Sequence, residues 1–213
     1  KTPINDFISF MPKFINGFME ALNIEKAHFM GVSLGGALSI KVALEYPQKV
    51  AKLIPVDSGG FGTYTPFTNR IATLPVLGEL LTRPNRNGTR QFLESLVYDP
   101  KVLGDETIDF YYKLSAMPGA SQACLRLLRA LFCLSGIRKE AVYPMMSRLG
   151  EIKSPTLIIW GRHDKSFPVD HAYYGHERIK NSLVYIVEES GHLPNFEKPE
   201  EFNRIVLDFL YKE

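Results

Sequence analysis

Apolar residues recur with helical spacing near both ends of the chain. Near the start they stand at positions 7, 10, 11, 14, 15, 18, 19 and 22, and this i, i+3, i+4, i+7 pattern predicts an amphipathic helix. Pro12 falls inside the pattern, so we expect either a kink there or a short first turn followed by a main helix from Pro12 to Leu22. Near the end, apolar residues on one side of Pro199 to Leu210 predict a closing amphipathic helix.

Short apolar runs between these two segments predict buried strands. The runs are Phe29–Val32, Lys49–Asp57, Thr156–Gly161 and Leu183–Val187. Nearly continuous apolar runs are typical of parallel strands that are covered on both faces. A helix over Gly36–Glu45, stopped by Pro47, separates the first two runs, and a second helix over Val169–Ile179 separates the last two. Strand, helix and strand with short links predict a parallel sheet with right-handed crossovers.

The middle of the chain has a different pattern. From about residue 62 to 149 it is helical in spacing, rich in Arg and punctuated by Pro, with no convincing strand alternation. Its clearest helices are Ile108–Leu114 and Ala123–Leu131. We therefore predict an α/β fold whose parallel-sheet core occupies residues 1–61 and 149–213, with a helical insertion at 62–148. A purely structural role for this insertion remains an alternative.

The segment Gly31-Val32-Ser33-Leu34-Gly35 matches the pattern G-x-S-x-G. It lies between a predicted strand and a predicted helix, which is the context that this motif requires. On such a turn the Ser backbone is strained and its hydroxyl projects above the sheet, while Gly31 and Gly35 leave room for the strand and the helix to approach. The helix N-terminus adds free N–H groups and a positive dipole end. We therefore predict that Ser33 is a nucleophile.

A nucleophilic Ser needs a base and a carboxylate that orients the base. In parallel sheets these groups are expected after the carboxyl ends of strands. Asp164 follows the strand that ends at Gly161, and His192 follows the strand that ends at Val187. We interpret the other histidines as structural or solvent-facing: His28, His163, His171 and His176.

Two further segments strengthen one resemblance. Gly161-Arg162-His163-Asp164-Lys165-Ser166-Phe167-Pro168 resembles the acid loop of the α/β-hydrolase family, and Ser190-Gly191-His192-Leu193-Pro194-Asn195-Phe196-Glu197-Lys198-Pro199-Glu200 resembles its histidine loop. The order Ser33, Asp164, His192 is that family's order. The resemblance implies acyl transfer to water through an acyl-enzyme. It also implies an oxyanion bound by the Leu34 backbone N–H and a second donor, and no metal or organic cofactor.

The resemblance extends to the helical insertion, which looks like the cap of this family. We expect the cap to cover a small-molecule acyl substrate with the side chains of Phe61, Phe67, Leu74, Phe92, Tyr111, Tyr112, Leu127 and Phe132. Some members of the family carry the triad acid one strand earlier, so Asp57 is a rival to Asp164. The turn that carries Ser33 resembles the nucleophile elbow of this family, and we call it the elbow. A Ser at the elbow argues against the haloalkane dehalogenase and epoxide hydrolase branches, which use Asp there.

Three functions are compatible with these residues. The main hypothesis is a serine hydrolase that cleaves a carboxylic ester. An alternative is hydrolysis of a carbon–carbon bond in a diketone-like acid, because Gly31–Gly36 and Glu45-Tyr46-Pro47 are similar to the meta-cleavage-product hydrolases. However, Val32 stands where those enzymes tend to carry Asn, and no Trp follows His192. A third hypothesis is a non-catalytic ligand-binding or receptor protein on the same fold.

Composition and net charge limit the classes of partner that the chain is expected to bind. The chain has 213 residues, of which 45% are hydrophobic and 23% charged, and its net charge of +2 is too small to favour nucleic acid or an anionic membrane as partner. No run approaches the roughly 18 apolar residues of a membrane span, and we expect a cytoplasmic location. We interpret the two cysteines, Cys124 and Cys133, as buried packing residues.

The family's second oxyanion donor follows an earlier strand, usually in a His-Gly phrase, and no such phrase precedes Ser33. Without the earlier strands of the family's sheet, the predicted strand before Ser33 would have no partner on one side. We therefore expect an upstream segment of roughly 60–100 residues, or a second chain, to complete the sheet.

Overall fold

The structure, a computed structural model, describes residues 7–212 and contains one four-stranded parallel sheet. Its strands are β1 (Ala27–Val32), β2 (Val50–Val56), β5 (Thr156–Gly161) and β6 (Ser182–Val187), in the spatial order β1-β2-β5-β6. Val32 pairs with Val56, Val56 with Ile159, and Gly161 with Val187. The four carboxyl ends therefore meet at one edge of the sheet, as the sequence predicts.

Helices connect and cover these strands. They are α1 (Phe7–Ala21), α2 (Leu34–Glu45), α9 (Asp170–Arg178), α10 (Pro194–Glu197) and α11 (Pro199–Tyr211). The predicted parallel α/β fold is confirmed, with most element ends within one or two residues of their expected positions.

Both faces of the sheet are buried. On one face Leu53 and Ile158 pack in the cluster that contains Ile40 of α2, and all three side chains are fully buried. On the other face the neighbouring residues Ile54 and Ile159 pack in a second cluster, formed with α11. Burial on both faces is why the strand sequences are apolar throughout rather than alternating.

α1 runs through Pro12 as one continuous helix, so the alternative of a short first turn followed by a separate main helix is wrong. Proline removes the N–H that would bond to the carbonyl of Ile8, and Lys41 Nζ donates a hydrogen bond to that carbonyl at 3.3 Å instead. The helix also leaves part of its apolar pattern uncovered. Its exposed apolar side chains, with that of Leu22 just beyond it, are Phe10, Phe14, Phe18 and Leu22.

Between β2 and β5 the chain is mainly helical. The helices are α3 (Phe67–Ile71), α4 (Leu77–Leu81), α5 (Arg86–Leu96), α6 (Asp105–Ser115), α7 (Ala120–Leu131) and α8 (Lys139–Met146). The expectation that this segment contains no strands is wrong, because β3 (Phe132–Cys133) and β4 (Gly136–Ile137) form an antiparallel pair. Strands of two residues are too short to produce an alternating pattern.

Several side chains of this region lie elsewhere than expected. Phe61 is buried in the sheet core, with its ring 6.1 Å from that of Trp160, so it belongs to the core rather than to a cap pocket. The cysteines are not both buried, since Cys124 is exposed and Cys133 is only partly covered. Cys124 is adjacent to Leu125, the residue that α7 buries. Within residues 7–212, no helix has the length and apolar character needed to cross a bilayer.

Candidate active site

Ser33 occupies a strained turn between β1 and α2. Its φ of 56° and ψ of −116° lie outside the regions that side chains normally allow, and such backbone costs about 1–3 kcal/mol. Two backbone hydrogen bonds hold it, from Ser33 N–H to the Val56 carbonyl at 2.9 Å and from Gly59 N–H to the Ser33 carbonyl at 3.2 Å. The side chain makes no capping hydrogen bond to its own helix. Within residues 7–212, the Ser33 hydroxyl at the N-terminus of α2 therefore has no hydrogen-bond partner.

The glycines around this turn have unequal roles. A Cβ on Gly31 would overlap the backbone of Gly35, and a Cβ on Gly36 would overlap the side chain of Ser58. A Cβ on Gly35 would meet nothing within 4 Å. The prediction that Gly35 makes room for the strand–helix approach is therefore wrong, because Gly36 has that role together with Gly31.

Asp164 and His192 form a buried pair. His192 Nδ1 lies 2.8 Å from Asp164 Oδ2, and both side chains are almost completely excluded from solvent. Asp164 Oδ1 accepts hydrogen bonds from the backbone N–H groups of Ser166 at 2.7 Å and Phe167 at 3.1 Å. Since a carboxylate only accepts hydrogen bonds, His192 Nδ1 carries the proton of this contact, which leaves Nε2 as the basic ring nitrogen.

The close approach of two loops brings this pair together. A Cβ on Gly161, at the end of β5, would overlap the carbonyl oxygen of Gly191, which precedes His192. Glu197 Oε1 then accepts from the N–H of Gly191 at 2.7 Å and from Ser190 Oγ at 3.1 Å. Glu197 lies in the Glu-x-Pro-Glu phrase of the predicted histidine loop, but its role in holding that loop was not foreseen.

The helical segment also contacts the histidine loop. His192 N–H donates to the Leu96 carbonyl at 2.7 Å, and Tyr98 N–H donates to Glu197 Oε2 at 2.6 Å. The end of α5 and the residues after it are therefore hydrogen-bonded to the loop that carries His192. No sequence signal near Leu96 or Tyr98 indicated this contact.

Ser33 stands apart from the pair in one respect. In the part of the chain that the structure describes, no hydrogen bond joins Ser33 Oγ to His192. The first N–H groups of α2, beginning with Leu34, have no partner within the helix. The structure places Ser33, Leu34, Asp164 and His192 at the carboxyl edge of the sheet, and their catalytic roles stay predictions.

Asp57 is a further acidic residue at this edge. It follows β2 with a φ of 41°, is completely buried, and accepts a hydrogen bond at Oδ1 from Gly161 N–H at 2.9 Å. Asp164, not Asp57, is the hydrogen-bond partner of His192 Nδ1. Burial raises the pKa of the Asp57 carboxyl well above its usual range, and the charge of Asp164 raises it further.

One carboxylate oxygen each of Asp57 and Asp164 and one ring nitrogen of His192 lie within 4.8 Å of one another. Two carboxylates and an imidazole are a ligand set that a divalent cation accepts. Here, however, both oxygens of Asp164 accept hydrogen bonds from backbone N–H groups or from His192. We interpret the cluster as a hydrogen-bonded group rather than a metal site.

The remaining histidines lie outside this cluster, and one prediction about them is wrong. His171 is not solvent-facing, since its ring packs near those of Trp160 and Phe167, at 6.3 and 6.1 Å between centroids, and burial lowers its pKa. His163 is exposed and stacks on Tyr98 at 4.5 Å. His28 and His176 are exposed as well.

A parallel α/β sheet with a strained Ser at a strand–helix turn and a buried His–Asp pair at the same edge defines a class of hydrolases. The sequence agrees, because residues 3–205 match the model of the alpha/beta hydrolase family. The chain belongs to this family.

Two similar proteins are named as hydrolases of 2-hydroxy-6-oxo acids. The 2-hydroxy-6-oxo-6-phenylhexa-2,4-dienoate hydrolase of Comamonas testosteroni is 32% identical over 204 residues. A 2-hydroxy-6-oxononadienedioate/2-hydroxy-6-oxononatrienedioate hydrolase of the same species is 30% identical over 196 residues. Each match covers 92% of this chain and 66% of the relative. The chain thus spans slightly less than two thirds of the length of these relatives.

Solved structures give the same fold. The 2-hydroxy-6-oxo-6-phenylhexa-2,4-dienoate hydrolase of Rhodococcus sp. strain RHA1 superimposes with a TM-score of 0.81 at 22% identity, covering 98% of this chain and 72% of that one. A meta-cleavage product hydrolase of Pseudomonas fluorescens has a TM-score of 0.72 at 27% identity, covering 92% and 68%.

Proposed function

We propose that the protein is a serine hydrolase that cleaves the carbon–carbon bond beside a ketone in a small diketone-like acid. The observation that carries the hydrolase part is the placement of Ser33, in its strained turn, at the sheet edge that also holds the His192–Asp164 pair. The substrate class is supported by relatives at 30–32% identity that are named for such dienoate acids. This interpretation replaces ester cleavage as the main hypothesis.

The proposed reaction uses few groups. Ser33 Oγ adds to the ketone carbon while His192 Nε2 takes its proton, and the N–H of Leu34 with the α2 dipole stabilises the oxyanion. His192 then gives the proton to the departing carbon as the carbon–carbon bond breaks. A water molecule, deprotonated by His192, releases the acyl group from Ser33 as a carboxylic acid. One water is consumed, and the products are an acid and a fragment that has gained hydrogen at carbon.

Carbon–carbon cleavage requires a leaving group that tolerates negative charge, and a carbanion conjugated with a dienoate meets this requirement. Ester hydrolysis uses the same Ser33, His192 and Leu34 groups with an alkoxide as leaving group. By the resemblance, Val32 stands where carbon–carbon hydrolases tend to carry Asn, and Leu193 rather than Trp follows His192. Both substrate types therefore belong in the test.

The helical segment is proposed as the cap over this site. Its contacts with the histidine loop, through Leu96 and Tyr98, place the end of α5 beside His192. Exposed aromatic side chains of the segment are available for an apolar acyl group: Phe67, Phe92 and Tyr111.

The test compares two substrates. One is 2-hydroxy-6-oxo-6-phenylhexa-2,4-dienoate, whose turnover is measured as the loss of absorbance of its conjugated chromophore, and the other is a p-nitrophenyl ester. We expect the dienoate to be the better substrate by kcat/KM, and Ser33→Ala to abolish both activities. A fluorophosphonate probe should label Ser33 and no other Ser.

Ser39, on the same helix, provides the control, since its hydroxyl donates to the Gly35 carbonyl at 2.9 Å within α2. Ser39→Ala should keep both activities and the labelling. Turnover of esters alone would return the assignment to an esterase. A folded protein that neither labels nor turns over either substrate would support the non-catalytic binding hypothesis.

A further inference from the structure

The Asp57 carboxyl lies beside the proposed acid–base pair without a role in it. One of its oxygens, Oδ1, accepts the N–H of Gly161, the residue that ends β5. The other, Oδ2, is completely buried and has no donor partner in the described part of the chain. A buried carboxylate oxygen without a donor is costly.

The charged groups that act on Asp57 are acidic. A carboxylate oxygen of Asp164 lies within 4.8 Å, and the charges that act on Asp57 are those of Asp164, after β5, and Glu197, on α10. The third titratable neighbour is His192, after β6, whose Nδ1 is bonded to Asp164. Two ionised carboxylates this close, both buried, repel each other strongly.

We infer that Asp57 is a positioning residue that carries a proton on Oδ2 and donates a hydrogen bond to the carboxylate of Asp164. This role rests on the proposed function, because the Asp164–His192 pair is its target. A proton converts Asp57 Oδ2 from an unpaired acceptor into a donor. The same proton removes the repulsion between the carboxylates of Asp57 and Asp164. The burial and the neighbouring charge that raise the pKa of Asp57 favour the same state.

The backbone of Asp57 holds its side chain in a fixed position. Asp57 keeps a left-handed φ of 41° directly after its strand, while its N–H still donates to the Ile159 carbonyl at 3.0 Å. The carboxyl is thereby fixed between the end of β5 and the acid loop. Asp57 thus adds a further hydrogen-bond donor to the three that Asp164 already has in Ser166, Phe167 and His192.

The first test measures the proton without using activity. An acid whose pKa is raised by folding contributes stability that is present below its unfolded pKa of about 3.9 and is lost as the pH rises toward the folded pKa. Asp57→Asn removes this loss. From pH 4 upward, the unfolding equilibrium constant of the wild type should therefore increase relative to that of Asp57→Asn, by up to about tenfold per pH unit. A constant ratio between pH 4 and 8 would overturn the proposal.

The second test reads the hydrogen bond through the His192 ring, by NMR titration of its imidazole. In Asp57→Asn the amide can accept from Gly161 and donate to Asp164, so the midpoint of the His192 titration should match that of the wild type. In Asp57→Ala the donor is lost, the Asp164 carboxylate attracts the imidazolium more strongly, and the midpoint should rise. Asp208→Asn, at an exposed position on α11, is the control.

The opposite sign would contradict the inference. If Asp57 were ionised, both variants would remove a nearby negative charge and lower the His192 midpoint. An unchanged midpoint in a folded Asp57→Ala would show that no coupling exists. If that variant fails to fold, the stability comparison with Asp57→Asn still decides. Neither measurement needs turnover, so failure of the proposed function would be visible separately, as absent labelling of Ser33.

Discussion

Two strained residues lie side by side at the carboxyl edge of the sheet. Ser33 and Asp57 each follow a strand with positive φ, at 56° and 41°, and their strands pair through Val32 and Val56. Each such conformation costs about 1–3 kcal/mol. The surrounding hydrogen bonds to Val56, Ile159 and Gly161 offset this cost. Strain at this edge therefore coincides with the residues that carry the proposed chemistry.

The glycines of the elbow give the residue-scale prediction. Gly31→Ala should lower the free energy of unfolding by about 1–3 kcal/mol, because its Cβ would overlap the Gly35 backbone. Gly35→Ala meets open space inside α2 and should be neutral or stabilising by up to about 1 kcal/mol. Chemical denaturation of the two variants measures both values. Equal effects at the two positions would contradict the distinction made between them.

At the scale of elements, the sequence predicts what periodicity can express. β2 and β5 are covered on both faces, so their apolar runs are sufficient to predict them as buried strands. The pair β3–β4 was missed because two residues make no period. His171 looked solvent-facing because its burial comes from Phe167, in the loop before α9, and Trp160, on β5. The candidate site residues Ser33, Asp164 and His192 are assigned from local motifs, and their roles stay predictions.

The contact between the helical segment and the histidine loop was beyond sequence reasoning because it joins residues about a hundred positions apart. Glu197 accepts the N–H of Tyr98 with one oxygen and the N–H of Gly191 with the other. Because both carboxylate oxygens of Glu197 accept hydrogen bonds, replacing the carboxylate by an amide must remove at least one of these bonds. The Glu-x-Pro-Glu phrase marked the residue, but not its partners.

Glu197→Gln should therefore destabilise the fold by about 1–3 kcal/mol, because its NH2 group faces a donor whichever way it turns. Hydrogen exchange should accelerate at residues 96–98 and 190–192 in particular. Glu189→Gln is the matched control, since Glu189 forms an exposed ion pair with Lys198 at 3.1 Å, worth about 0–1 kcal/mol. Exchange that accelerates equally in both variants would show that Glu197 does not join the two segments.

For the whole molecule, the most prominent feature is an open edge. Within residues 7–212, β1 pairs on one side only, with β2. Met30 of this strand is 52% exposed, and Phe14 and Phe18 of α1 are 54% and 55% exposed. An unpaired strand edge with apolar residues is a template for another strand. The expectation that a further segment or chain completes the sheet stays a prediction.

The last prediction concerns this edge. The polypeptide of residues 1–213 should self-associate in a concentration-dependent way, measured by sedimentation velocity, because the open strand and its apolar surroundings favour strand pairing. Met30→Lys places a charge on the edge and should shift the distribution toward monomer. Leu207→Lys is the matched control, since Leu207 is 47% exposed and lies on α11 rather than on the edge strand. If the two variants associate to the same extent, association does not use the β1 edge. A wild-type chain that stays monomeric would show that α1 and β1 tolerate solvent as they are.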